Sequence, residues 1–222
     1  MADSSRSPLV VFDFDGTLAD TWRDIARALN RTLTAAGLEP ALGHDVRFWI
    51  GDGARRLLER AVPPSERTPE AIDALYAIFA DHYEATCLET TEPYPGVVEC
   101  LDSLRAFPLA IASNKPERFL GPIVEGLGLK AHFRVIAGGD TLRVRKPDPG
   151  VLAEIAERVG GGPWSPWMVG DSAVDVQTGR AAGAHTIGCA WGLRGRAELQ
   201  RAGAEYLVEE PAEICRLIGA LR

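Results

Sequence analysis

Asp13 and Asp15, two carboxylates two positions apart, are the residues of this chain whose type and spacing most directly suggest chemistry. They follow an apolar run at residues 9–12 that predicts a buried strand, and Gly16 after them allows a sharp turn out of the sheet. Because side chains alternate along a strand, both acids face the same side. Two acids held close together repel, so the pair needs a cation, a shared proton or a hydrogen-bond network. A strand end followed by an ordinary Asx turn would explain the same residues.

Three further stretches place polar side chains at the ends of other candidate strands or in the loops after them. They carry Ser113 with Asn114, then Lys146, then Asp171 with Asp175. In an open sheet of parallel strands the ligand crevice lies beyond the carboxyl ends of the strands, so we expect these groups to meet there. Asp175 lies about one helical turn after Asp171, and both carboxylates can therefore face the same cation.

The elements that must position these groups are short apolar strands alternating with helices. Strands are predicted at residues 9–12, 109–114, 133–137, 167–172, 185–190 and 205–208. Helices are predicted at residues 97–106, 116–127, 150–159, 173–182 and 212–221. Continuous apolar strands in this alternation indicate an α/β fold, with a Rossmann-like parallel sheet core covered by helices on both faces.

Residues 18–91 show a different pattern, with apolar residues at helical spacing and no candidate strand. Helices are predicted at residues 18–36, 54–62 and 68–86, with a further short one within 40–50. We therefore predict a discontinuous α/β core, residues 1–17 and 92–222, and a small all-helical cap domain, residues 18–91. An insert that leaves from the carboxyl end of the first strand lies over the crevice, as a lid would.

The composition limits the class of protein and its partners. The chain has 222 residues, of which 46% are hydrophobic and 25% charged, as is ordinary for a globular protein. The formal net charge of −7 and the lack of a basic block argue against nucleic acid and anionic membranes as partners. Four scattered cysteines, the lack of an apolar signal core and the lack of a membrane-length apolar run predict a cytoplasmic protein. Its state as a monomer or a homodimer stays open.

Taken together, the four polar stretches resemble the motifs of the haloacid dehalogenase-like hydrolase superfamily. The first motif of that superfamily reads D-x-D-G-T, the second ends in Ser or Thr, the third is a Lys, and the fourth is G-D with further acids. This chain has Asp13 to Thr17, Ser113, Lys146 and Gly170-Asp171 in that order. Each motif alone carries little information, but the ordered set, each member on its expected strand or loop, is specific.

The resemblance implies phosphoryl transfer. Asp13 would be the nucleophile that forms an aspartyl-phosphate, and Asp15 would protonate the leaving oxygen and later deprotonate a water. Ser113 and Lys146 would bind the non-bridging phosphoryl oxygens, which carry the charge of the transition state.

The same resemblance implies Mg²⁺ as cofactor, because Mg²⁺ prefers hard oxygen ligands. Its ligands would be the Asp13 carboxylate, the Asp15 main-chain carbonyl and Asp171, with Asp175 either a direct ligand or one shell further out. Asn114 would either contact the phosphate or cap the following helix. Lys115 is interpreted as a solvated neighbour of that cap.

Within the superfamily, two relatives are disfavoured by the residues present. Dehalogenases have no leaving group to protonate and need no acid at the position of Asp15, whereas phosphonatases need a cap lysine and residues 18–91 contain none. Residues 49–61 and the tail around residues 190–206 resemble bacterial phosphoglycolate phosphatases. There Arg55 would pair with a substrate carboxylate, or it is a solvated helix residue like Arg56.

We therefore predict a Mg²⁺-dependent phosphomonoester hydrolase that acts on a small phosphorylated metabolite, with 2-phosphoglycolate as the expected substrate. Three alternatives stay open. One is a sugar phosphomutase, the second is a phosphatase of another small phosphate ester or of pyrophosphate, and the third is a non-enzymatic binding module that keeps the fold.

Overall fold

A six-stranded parallel sheet forms the centre of the molecule in the computed structural model, which describes residues 7–219. Its strands are β1 (Ser7–Phe12), β4 (Leu109–Ala112), β5 (Val135–Ala137), β6 (Trp164–Gly170), β7 (His185–Cys189) and β8 (Tyr206–Val208). They lie in the order β5-β4-β1-β6-β7-β8, and every neighbouring pair is parallel. The predicted α/β fold with a parallel sheet is confirmed.

Strand β1 lies inside this sheet and is covered on both faces. Phe12 is in register with Ile111 of β4 on one side and with Val169 of β6 on the other. Val10 and Phe12 belong to one apolar cluster of the core, whereas Leu9 and Val11 belong to a second cluster on the opposite face. This double burial is why the strand is a continuous apolar run rather than an alternating one.

Six helices pack against the sheet. They are α5 (Val97–Ser103), α6 (Glu117–Gly126), α7 (Gly150–Val159), α8 (Ala173–Ala181), α9 (Arg196–Ala202) and α10 (Pro211–Gly219). Helix α9 was not predicted, because it is short and Leu199 is its only fully buried side chain. The predicted end of the last helix, Leu221, lies outside the described residues.

Four helices lie between β1 and α5, and we call residues 22–86, which contain them, the insert. The helices are α1 (Trp22–Ala35), α2 (Gly43–Trp49), α3 (Ala54–Ala61) and α4 (Pro69–Thr86). A single 3₁₀ turn, Pro64–Glu66, joins α3 to α4, and the Thr68 hydroxyl caps α4 by accepting a hydrogen bond from the Ala71 amide at 3.2 Å.

The base of the insert departs from the sequence-based expectation of an all-helical stretch. Two short strands, β2 (Ala19–Asp20) and β3 (Glu92–Pro93), pair antiparallel where the chain enters and leaves the insert. The prediction that residues 18–91 contain no strand is wrong at this point, because two-residue strands are too short to leave a periodic signal. Helix α1 also starts later than predicted, since the Leu18 and Ala19 amides turn back to donate to the Phe14 carbonyl.

A buried carboxylate, Asp24, fixes the same base from inside. It accepts hydrogen bonds from the amides and hydroxyls of Thr90 and Thr91, at distances between 2.6 and 3.2 Å. Burial opposes the ionised form of Asp24, but these hydrogen bonds outweigh it and lower the pKa of the carboxyl below its ordinary value. The first helix of the insert is thereby attached to the segment that returns to the sheet.

None of the described helices combines the length and the apolar character that crossing a lipid bilayer requires.

Candidate active site

A cleft of about 450 Å³, including space open to solvent, lies between the insert and the carboxyl ends of β1 and β4. The core side contributes Asp13, Asp15, Ser113, Asn114, Lys115, Pro116 and Phe119. The insert side contributes Ile25, Ile50, Gly51, Gly53, Ala54, Leu57, Phe79 and Tyr83. The two walls thus differ in kind, since the first is largely polar and the second largely apolar.

Three buried carboxylates meet next to this cleft, and one of them, Asp13, lines it. Asp13 follows β1, Asp171 follows β6, and these adjacent parallel strands end at the same edge of the sheet. Asp175 comes from the first turn of α8, where its Oδ2 accepts hydrogen bonds from the Ser172 amide at 3.1 Å and the Ser172 hydroxyl at 2.6 Å. One oxygen from each of the three acids lies within 4.8 Å of the others.

Lys146 lies between two of these acids. Its Nζ is 2.8 Å from Asp13 Oδ1 and 2.6 Å from Asp175 Oδ1. Burial by itself would lower the pKa of this ammonium, but the charges of Asp13 and Asp175 together raise it above its ordinary value. Lys146 therefore stays charged and offsets part of the negative charge.

The negative charge of the three acids exceeds the positive charge of this lysine. Burial, supported by the charge of Asp175, raises the pKa of Asp13 from 3.8 to about 7, although Lys146 opposes the shift. Burial and the charges of Asp175 and Asp13 likewise hold the pKa of Asp171 well above its ordinary value. Oxygen ligands with excess negative charge are what a hard divalent cation such as Mg²⁺ requires, so this donor set fits the metal.

Two glycines make room for this arrangement of acids. Gly16 has a φ of +85°, which L-residues rarely adopt, and a Cβ there would collide with the Asp171 carboxylate. A Cβ at Gly192, in the loop after β7, would collide with Asp171 and with the Gly16 carbonyl. The Leu193 amide in the same loop donates to Asp171 Oδ2 at 2.6 Å, which fixes the orientation of the carboxylate.

Asp15 lies on the side of the cleft that faces the insert. Its Oδ1 accepts a hydrogen bond from the Thr21 hydroxyl at 2.6 Å and lies 3.1 Å from Lys115 Nζ. Its side chain is not part of the three-acid cluster. Phe14, between Asp13 and Asp15 in sequence, is buried in the core, as the alternation along the chain predicts.

The interpretation of Lys115 as a solvated residue is wrong. Only 6% of it is exposed, and its Nζ donates to the Tyr83 hydroxyl of α4 at 2.9 Å besides contacting Asp15. Burial opposes its charge, but Asp15 and Tyr83 raise the pKa of the ammonium above its ordinary value. A usable signal was present, because the chain has only three lysines and this one directly follows Ser113-Asn114. Thr21 and Tyr83 lie in no motif and were missed.

Ser113 and Asn114, at the end of β4, both line the cleft. The Ser113 hydroxyl accepts a hydrogen bond from the Lys115 amide at 3.2 Å. The Asn114 amide group donates to the carbonyls of Gly51 and Lys146, both at 3.1 Å, and its Oδ1 is buried without a partner among the described residues. Asn114 does not cap α6, whose N-cap is Pro116, and instead connects the insert to the loop of Lys146.

The structure does not bring Arg55 to the cleft. Its side chain is 54% exposed, forms an ion pair with Asp73 and lies over the ring of Tyr76. Gly51 and Gly53, in the loop before α3, do line the cleft, with φ values of +114° and +90°. A tight glycine loop therefore lies at the cleft, while the arginine after it faces away.

Comparison with known proteins agrees with this geometry. A model of the haloacid dehalogenase-like hydrolase family matches residues 10–189. A phosphoglycolate phosphatase of Agrobacterium fabrum is 41% identical over 196 residues, which cover 86% of this chain and 84% of that protein. A phosphoglycolate phosphatase of Chromobacterium violaceum is 39% identical over 215 residues, covering 94% of this chain and 95% of that protein.

Solved structures show the same fold. The crystal structure of a "predicted phosphoglycolate phosphatase" from Haemophilus somnus superposes with a TM-score of 0.85 at 27% identity, covering 95% of this chain and 97% of that chain. With a family model that spans most of the sequence and relatives near 40% identity, the assignment is direct. The chain belongs to the haloacid dehalogenase-like hydrolase family and is a phosphoric monoester hydrolase.

Proposed function

We propose that this enzyme hydrolyses 2-phosphoglycolate to glycolate and phosphate through an aspartyl-phosphate intermediate, with Mg²⁺ as cofactor. One observation carries the proposal. Asp13 is buried at the end of β1 beside Lys146 and two further acids, and Asp15, two residues later, lines the same cleft without belonging to that cluster. The names of the two curated relatives support the choice of substrate.

In the first half of the reaction, a carboxylate oxygen of Asp13 attacks phosphorus and the bond from phosphorus to the ester oxygen breaks. Asp15 donates a proton to the departing oxygen, which leaves as the hydroxyl of glycolate. Lys146 is already within hydrogen-bond distance of Asp13 and would neutralise phosphoryl oxygens there, together with the hydroxyl of Ser113.

In the second half, Asp15 takes a proton from a water that attacks the phosphorus of the intermediate. The bond from phosphorus to Asp13 breaks, which releases phosphate and regenerates the carboxylate. The hydrogen bond from Thr21 and the contact with Lys115 orient Asp15 for both proton transfers.

Asp13, Asp171 and the Asp15 main-chain carbonyl would hold the metal ion, and Asp175 would either join them or act through its bonds to Ser172 and Lys146. When bound, Mg²⁺ supplies positive charge for the phosphoryl oxygens and for the acids around it. The formal charges match, since four buried carboxylates and two buried lysines, in the cleft or next to it, leave an excess of negative charge.

The insert would form the helical part of a cap domain, residues 18–91, over a core made of residues 1–17 and 92–222. Its apolar wall would exclude water around a bound substrate and leaves room for a small ester. A free metabolite rather than a macromolecular phosphate group therefore fits the site.

A phosphate-release panel tests this proposal. It compares 2-phosphoglycolate with sugar phosphates, a nucleotide and pyrophosphate, each with Mg²⁺ and with a chelator. We expect the largest kcat/KM for 2-phosphoglycolate and no turnover with the chelator. A flat profile would refute the substrate, and equal activity with the chelator would refute the cofactor.

A further inference from the structure

We propose that Lys115 and the Tyr83 hydroxyl form a subsite that binds a carboxylate of the substrate, placed one carbon away from the phosphate ester. The inference rests on the proposed function and assigns the recognition of the second anionic group to this pair. Arg55, the residue that the sequence suggested for it, lies on the outer surface of the insert.

The first support is the distribution of charge around the cleft. Lys115 is the single cationic side chain among the described residues that line it. The facing wall consists of apolar side chains, of the glycine loop and of Tyr83. A substrate carboxylate enclosed there without a cation would lose its hydration, and few hydrogen bonds would offset that loss. A buried ammonium supplies the ion pair that the carboxylate requires.

The second support is the count of hydrogen-bond donors. An ammonium group has three N–H donors, and Lys115 uses two of them, toward Asp15 Oδ1 at 3.1 Å and the Tyr83 oxygen at 2.9 Å. The Tyr83 oxygen acts as the acceptor in that bond, and its own proton has no acceptor among the described residues. Two donors, one from each residue, thus remain for a ligand with two acceptor oxygens.

The third support is reach. Asp15 is the proposed acid at the leaving oxygen, and Lys115 Nζ is 3.1 Å from its Oδ1. In a glycolate unit the carboxylate oxygens lie roughly 3 Å from the ester oxygen, as ordinary bond lengths require. One ammonium group can therefore contact Asp15 and the substrate carboxylate together, which selects esters whose acid group is on the carbon beside the ester oxygen.

The Tyr83 side chain is also held in place, as a recognition residue should be. Its ring stacks on Phe79 of the insert at a centroid distance of 5.5 Å and meets Phe119 of the core edge-on at 5.1 Å. The hydroxyl consequently has little freedom, and part of the entropy cost of ordering it is absent when the ligand binds.

The test compares two substrates that differ in the acid group, 2-phosphoglycolate and 2-hydroxyethyl phosphate, in Lys115→Met. We expect kcat/KM for 2-phosphoglycolate to fall about 10- to 100-fold further than for 2-hydroxyethyl phosphate, the range for a lost hydrogen bond to a charged group. Lys130→Met is the matched control, since that lysine is exposed, forms an ion pair with Glu125 and lies outside the cleft. Equal losses on both substrates would overturn the proposal and leave Lys115 as a residue that positions Asp15.

Tyr83→Phe is the second variant, because it keeps the ring and removes only the hydroxyl. We expect the preference for 2-phosphoglycolate to fall about 3- to 10-fold, mainly through KM, as loss of one neutral donor does. An unchanged preference would remove Tyr83 from the subsite. If the native enzyme itself shows no preference between the two esters, the proposed substrate fails. A native preference that survives in both variants refutes the subsite alone.

Discussion

The two walls of the cleft differ in the side chains that form them and in what those side chains contribute. On the core side, buried carboxylates and lysines at the ends of strands are fixed by hydrogen bonds between 2.6 and 3.2 Å. On the insert side, the wall is apolar apart from Tyr83 and the glycine loop, and the arginines of α3 form ion pairs on the outer surface. The sheet edge thus carries the reactive charges, and the insert contributes shape and one hydroxyl.

This difference follows from what each element can hold in place. Adjacent parallel strands are fixed to each other by their ladders, so like charges at their ends cannot move apart when they repel. Single helices of an insert have no such restraint. A cation on the insert wall would need its own buried partner, whereas Lys115 receives one from Asp15 on the core side.

The largest effect that tests the comparison comes from the reactive wall. In Asp13→Asn the nucleophile is lost, and we expect kcat to fall at least about 10⁴-fold, while the fold stays intact because the amide is isosteric. Phosphate release measures kcat, and circular dichroism measures whether the fold is intact. Asp81→Asn, an exposed substitution on α4, is the control and should leave both unchanged. Substantial turnover in Asp13→Asn would mean that the chemistry lies elsewhere.

A smaller effect is expected where backbone supports that wall. In Gly192→Ala the new methyl collides with Asp171 and the Gly16 carbonyl, so the loop must shift. We expect the free energy of unfolding to fall by about 1–3 kcal/mol, the usual cost of overpacking, and kcat to fall with it. Urea unfolding measures the free energy of unfolding, and phosphate release measures kcat. Gly219→Ala, which meets no atom within 4 Å, is the control.

The pH dependence of stability sharpens the comparison further. Asp13 has a pKa of about 7 against an ordinary 3.8, so between these values the unfolded chain releases a proton that the folded protein keeps. The free energy of unfolding of the metal-free protein should therefore fall as the pH rises from about 4 to 7, and Asp13 alone contributes at most about 1.4 kcal/mol per pH unit to this fall. Chemical denaturation in a chelator at several pH values measures this slope.

Two variants test whether the pH dependence of stability comes from Asp13. Asp13→Asn should give a flatter slope, because the titrating carboxyl is gone, and it should be more stable than the native protein near neutral pH. Asp81→Asn should reproduce the native slope. A native stability that rises steadily over this pH range would contradict the assignment of repulsion to the acid cluster.

The smallest effect is expected on the outer surface of the insert. Arg55→Ala removes an exposed ion pair with Asp73, and such pairs contribute little. We expect kcat/KM for 2-phosphoglycolate to stay within about 3-fold of the native value, in contrast to Lys115→Met. A loss comparable to that of Lys115→Met would show that Arg55 turns inward during the reaction. The insert wall would then be more polar during the reaction than it is in this structure.

The strands and the groups at their ends were predictable because both signals are local. A buried parallel strand must be apolar throughout, and its first polar residues mark the crevice, as at Asp13, Ser113 and Asp171. The prediction for Lys115 was wrong because local sequence does not tell whether a lysine beside a strand end turns to solvent or inward. Its position depends on Tyr83, which is 32 residues away in sequence.

Other misses have the same origin. The ribbon of β2 and β3 consists of two residues on each side, and its existence depends on where the chain returns from the insert. The direction of Arg55 depends on Asp73 in the next helix, so helical periodicity cannot decide it. Contacts between elements, rather than the elements themselves, are what the sequence left open.

The base of the insert has a mechanical consequence. The chain crosses between core and insert twice, and the β2–β3 ribbon and Asp24 tie the two crossings side by side. Two attached crossings resist sliding and twisting but still bend, so the soft motion of the insert is rotation about the line of the ribbon. Such a rotation would break hydrogen bonds that join the insert to the core, among them those of Asn114 with Gly51, Lys115 with Tyr83 and Arg194 with Ile50, so opening of the cleft requires these bonds to be lost together.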